Sequence, residues 1–169
     1  MPDLKHIRLM TLYKAWANEI TFSTVARLPA EEATRQRATR FGNIVHTLNH
    51  VYVIDRVFQA HLTGQRHGYT ARNTPSPPPL TELHANVREM DRWYVDFAAK
   101  LTPTDLARSI RFEFIGGGDG IMTSAEMMLH VVNHGTYHRG FVGDMMYQAG
   151  VTPEATDLPV FIRDTRSLR

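Results

Sequence analysis

Four long stretches of this sequence carry apolar residues at close to a 3.6-residue spacing, and that spacing commits most of the chain to helices. The first runs from about Leu4 to Leu28, with Leu9, Leu12, Tyr13, Trp16, Ile20, Ser23 and Val25 along one side. The second runs from about Phe41 to Leu62 and aligns Ile44, Val45, Leu48, Val51, Tyr52, Ile54, Asp55 and Phe58, with Gly64 as a C-terminal stop. The third runs from about Leu80 to Leu101 with Leu83, Val87, Met90, Trp93, Tyr94 and Phe97, and Pro103 ends it. The fourth opens on Thr123-Ser-Ala-Glu126, a capping-box sequence, and runs to about Gln148 with Gly150 beyond.

Between these stretches the punctuation is clear. TARNTPSPPPL is loop. Residues Arg108–Ile115 alternate polar and apolar and lead into the glycines Gly116–Gly120, which predicts a short β-hairpin or extended excursion before the last long helix. The tail TDLPVFIRDTRSLR holds a short apolar patch and is expected to fray. The reading is all-α: a four-helix bundle forming a single domain over residues 1–169, with room for a connection order that is not simple.

Composition narrows the chemistry. The chain has no cysteine, which excludes disulfide scaffolds, Cys-type zinc sites, iron–sulfur clusters and thiol catalysis by the protein itself. Its 19 Lys+Arg against 17 Asp+Glu leave a net charge of +2, too even for a nucleic-acid-binding face. The densest basic groups, Arg35, Arg37 and Arg40, then Arg163, Arg166 and Arg169, read as solvated surface. No apolar run reaches the ~20 residues that span a bilayer, and the MPDLKHIRLM start lacks a signal-peptide core. A cytoplasmic protein without membrane or nucleic-acid partners is expected.

The nine histidines carry the sharpest signal. His46 and His50 lie four apart on the second helix, and His130, His134 and His138 lie four apart on the fourth. Residues i and i+4 share a helix face, so His134 and His138 aim two imidazoles at one point. One more from a facing helix, best supplied by His50, closes a three-nitrogen site for a divalent metal. Three protein ligands leave a position for water or substrate, the pattern of catalytic rather than structural sites. His46 and His130 are then extra, in a structural role or behind the ligands. A ligand's free ring N–H needs an acceptor, and Glu126, Asn49, Asn133 and Asp55 are the nearby polar groups. His6, His61, His67 and His84 read as surface, and Met127, Met128, Met145 and Met146 as core filler. There is no HExxH, Walker A or nucleophile elbow. The GGGDG run reads as a hairpin turn.

Thr47–Gly64 and Leu129–Asp164, the latter containing NHGTYHRG, resemble the DinB superfamily of DinB/YfiT-like metalloenzymes, a damage-inducible four-helix-bundle family. Tyr13–Ile20 and the capped TSAEMML entry share the likeness, which covers nearly the whole chain. The resemblance implies a bundle with an unusual connection order, often a homodimer. It implies a metal triad of His50, His134 and His138, with nickel or zinc as the ion. Where relatives have known chemistry, it implies transfer or isomerisation in which the metal activates a low-molecular-weight thiol. Two positions depart from the family pattern: Tyr137 stands where another His is common, and His46 adds an imidazole one turn before the ligand.

The leading expectation is therefore a metal-dependent enzyme in which a thiol or water is activated for transfer or hydrolysis of a small-molecule substrate. Asp55, Asn133, Tyr137 and Arg139 are candidates to orient ligands or substrate. Arg139 could meet an anionic substrate, but an interhelical pair with a carboxylate such as Asp55 is the plainer role. The alternatives are a non-catalytic metal-binding stress-response protein, its site closed by His46 or His130, and a dimeric interaction module without metal.

Overall fold

The computed structural model describes residues 3–166. Among the described residues six helices form: α1 Leu4–Val25, α2 Ile44–Thr63, α3 Leu80–Lys100, α4 Pro103–Ala107, α5 Ser124–Gln148 and α6 Leu158–Arg166. Strands β1 Ser109–Glu113 and β2 Asp119–Thr123 pair antiparallel, from Ser109 opposite Thr123 to Glu113 opposite Asp119.

Local chemistry sets the helix ends. The Asn43 side chain accepts from the His46 N–H and starts α2 three residues later than the periodicity predicts. Gly64, at φ +71°, closes α2 in the left-handed conformation that glycine adopts without strain. The expected capping box opens α5. The Thr123 hydroxyl accepts from the Glu126 N–H, and the Glu126 carboxylate accepts from the Thr123 N–H at 2.7 Å. The hairpin turns through Gly116, Gly117 and Gly118, all at positive φ.

The bundle packs α1 against α3 and α5, and α2 against the same two helices. Consecutive α1 and α2 thus lie diagonally, joined by the turns of residues 26–43. The connection from α3 to α5 also crosses the bundle, through α4 and the hairpin. This order sets α2 beside α5, the pairing that brings their histidines together. One core cluster gathers Phe22, Ile44, Leu48, Leu83 and Met145, and a second gathers Ile54, Phe58, Tyr94, Met127 and Val131. All four helix-α5 methionines singled out in the sequence are buried.

Three expectations change. The tail does not fray over its described part. It forms α6, whose Phe161 packs on Tyr13 and Trp16, because an apolar side chain every third or fourth residue lets even nine residues dock on a larger body. That docking explains the second change. Leu9 and Trp16 serve this outer cluster, Leu12 is 48% exposed, and the bundle-facing side of α1 instead carries Ile7, Lys14, Ala17, Asn18 and Thr21. Third, Arg37 is not solvated: its guanidinium is covered and bonds Glu32 at 2.5 Å, alongside Arg35. Arg169 lies outside the described residues.

Candidate metal centre

His134 and His138 sit one turn apart on the side of α5 that meets α2, and His50 faces them from α2. Together they form the cluster that spacing predicts. One ring nitrogen from each lies within 4.8 Å of the others, and no other His, Asp or Glu joins the group among the described residues. His50 Nε2 and His134 Nε2 are 3.1 Å apart. Two nitrogens each about 2.1 Å from one tetrahedral ion stand about 3.4 Å apart, so this spacing suits shared ligation. His50 and His138 are buried and His134 partly so.

Protonation favours ligation. Burial and the neighbouring imidazoles push His134 down to about 2. Burial, helped by His50, pushes His138 down to about 4. Burial also lowers His50. Neutral rings present lone pairs, which is the form that binds metal. His50 Nδ1–H donates to the Arg72 carbonyl oxygen at 2.6 Å, leaving Nε2 as the acceptor atom facing His134. Nδ1 of His134 and of His138 is buried without a hydrogen-bond partner. A buried polar atom left this way costs roughly 1–3 kcal/mol. Neutral imidazole nitrogens gathered this closely are donors that a divalent cation takes, so the donor set fits such a metal.

The acceptor behind His50 is not one of the four side chains proposed from sequence. Asn49 instead pins the Pro-rich loop, bonding Asn73 and Thr74, while Asn73 donates to the His46 carbonyl at 2.8 Å. These bonds hold Arg72 in place behind His50. Glu126 is spent on the α5 cap, and Asn133 is exposed. Sequence reading also missed Phe41, whose ring stacks on His50 at 4.2 Å. No spacing rule reaches from a loop residue to a helix ring.

The other candidates separate. Tyr137 is 62% exposed, its ring edge-on to His138 at 5.0 Å. Asp55 and Arg139 lie in a buried polar network on the side of α1. Lys14 Nζ bonds Asp55 at 2.7 Å and Asp91 at 2.6 Å. Asn18 donates to Asp91 and accepts from Arg139 Nη1 at 3.1 Å. Asp55 and Arg139 therefore do not pair directly, since Lys14, a residue the apolar pattern passed over, takes the carboxylate. Burial raises Asp55 to about 6 against the pull of Lys14. Burial works to lower Lys14, but its two carboxylates outweigh that and leave it above the ordinary lysine value.

His46 and His130 stay out of the ligand group. His130 packs on Phe58 and His134 and lines a cavity of about 270 Å³. That cavity opens against His50 and His134 and is walled by Phe58, His61, Phe112 and Phe114. So His61, expected on the surface, is half-buried beside the site. His84 is not free surface either: it stacks on Phe22 and bonds Glu19 at 3.0 Å.

The sequence model of the DinB family matches residues 1–167. The chain belongs to the DinB family. Protein DinB of Bacillus subtilis (strain 168) is 27% identical over 160 residues, which is 92% of each chain. A crystal structure of a DinB-like protein from Bacillus cereus ATCC 10987 superposes with a TM-score of 0.63 at 21% identity, covering 82% of this chain and 89% of that one. This second likeness speaks for the helical bundle alone, and it agrees with the DinB fold expected from the sequence.

Proposed function

We propose that this DinB-family chain is a divalent-metal-dependent enzyme whose ion is held by His50, His134 and His138. The observation that carries this reading is the pairing of a three-nitrogen cluster with an adjoining cavity and no fourth protein ligand among the described residues. A divalent ion there would supply Lewis acidity, bringing the pKa of a water or a low-molecular-weight thiol toward neutrality for hydrolysis or transfer. Nickel and zinc both suit imidazole donors. The chain's own residues do the rest. Arg72 holds the His50 tautomer through its carbonyl. Phe58, Phe112 and Phe114 wall the cavity and exclude bulk water from an apolar part of a small-molecule substrate. Tyr137, beside His138 and open to solvent, is the candidate to contact the substrate from the other side. Asp55 and Arg139 stand in the buried polar network beside α1, away from the reacting atoms. The same reading takes a cytoplasmic homodimer as the working form.

The test is turnover by metal-loaded protein in a screen of hydrolysis and of thiol transfer to small electrophiles. Activity present in the parent and absent from His138→Ala supports the reading. A parent that holds one equivalent of metal and turns over nothing in either class overturns it in favour of metal storage.

A further inference from the structure

A second polar cavity, of about 430 Å³, lies along the flank of α5 that turns toward α1 and the segment 153–157. It shares no lining residue with the histidine cavity. Arg139 forms part of its wall and is only 7% exposed. The guanidinium has no carboxylate partner within salt-bridge distance among the described residues. Nη1 donates to Asn18 Oδ1 at 3.1 Å, and Nη2 donates to Thr136 Oγ1 at 2.9 Å and to the Tyr13 hydroxyl at 3.4 Å. Nε is buried with no partner at all. A buried guanidinium held only by neutral oxygens lacks the anion that its fork geometry matches best.

The cavity floor adds an independent observation. Gly140 lies mid-helix in α5, and a Cβ built there would meet nothing within 4 Å. Alanine would therefore fit and would favour the helix over glycine. A Cβ on Gly143 would touch only Pro153. Gly140 is exposed, and open space lies over the helix backbone at this point of the lining. The far wall is fixed: the Tyr13 hydroxyl donates to the Thr156 carbonyl at 2.9 Å. Two carboxylates stand on the lining, Glu154, which pairs with Arg27, and Asp157, which is exposed. They oppose a second negative charge.

We infer that this cavity is a binding site for a small monocarboxylate, which Arg139 receives with Thr136 and Tyr13 as neighbouring hydroxyls. The site stands apart from the metal reading and does not depend on it. The experiment is an amide NMR titration of the protein as purified with acetate, with sulfate and methylammonium as comparison ions. The expected result is saturable shifts with acetate, centred on residues 136–143 and 153–157, and weaker response to sulfate and methylammonium. Gly140→Leu, which adds a bulky side chain to the cavity lining without removing any Arg139 hydrogen-bond partner, should weaken acetate by at least about tenfold, as should Arg139→Gln. If Arg139→Gln does not fold, Gly140→Leu decides alone. Acetate shifts that never saturate, that survive Gly140→Leu, or that sulfate reproduces would overturn the site.

Discussion

His50 Nδ1 and the Arg72 carbonyl oxygen are 2.6 Å apart, so a backbone atom of the Pro-rich loop decides which nitrogen of His50 faces the other two histidines. The loop in turn is tied to α2 by Asn49 and Asn73.

Loosening that tie should weaken the centre without touching a ligand. Asn73→Ala removes the bonds to Asn49 and to the His46 carbonyl. Losing such support behind a ligand commonly reduces metal affinity by about 10–100-fold. Competition with a chromophoric chelator measures it, with circular dichroism as the check that helix content is kept. Unchanged affinity would mean that Arg72 is held in place by something else.

The buried network around Lys14 makes a stability prediction. Lys14 is fully buried between Asp55 and Asp91. Lys14→Met leaves two carboxylates buried without their cation and should lower unfolding free energy by about 3–5 kcal/mol, the usual result of breaking a buried pair. Urea denaturation reads it. A loss well under 1 kcal/mol would show that the carboxylates take up protons or water at little cost.

Acid should destabilise the metal-free protein early. An unfolded histidine titrates near 6.5, whereas folded His138 and His134 hold off protonation to about 4 and about 2. Below 6.5 the unfolded chain binds protons that the folded chain does not, so stability is full above that pH and falls as pH drops toward 4 and beyond. Each of these two rings should contribute a loss on the order of 2 kcal/mol between pH 7 and pH 5. His134→Gln removes one of the titrating rings and should lose less over the same interval. Chelator-treated protein unfolded in urea at both pH values gives the comparison, and equal slopes for parent and variant would contradict a neutral buried His134.

Much of this was legible in the sequence, for reasons that are physical. The i, i+4 spacing of His134 and His138 is a geometric property of a helix, and the Thr123–Glu126 box names its own start. The cross-bundle partner His50 followed because a facing helix is the best-placed source of a third ring that converges with His134 and His138. Lys14 was not legible: a lysine in a helix reads as solvent-facing until two acids, Asp55 and Asp91 on other helices, are known to meet it. The Arg72 carbonyl was invisible for another reason, since a backbone atom has no residue signature. Helix α6 was missed because its stability comes from docking Phe161 on Tyr13 and Trp16, and nine residues have little helical preference alone.

The most direct measurement is the metal content of untagged protein beside its His50→Ala and His134→Ala variants, taken after reconstitution with nickel or zinc. The parent should hold close to one equivalent of divalent metal, and both variants should lose it while remaining folded. A parent without metal, or variants that keep it, would contradict a centre built from His50, His134 and His138.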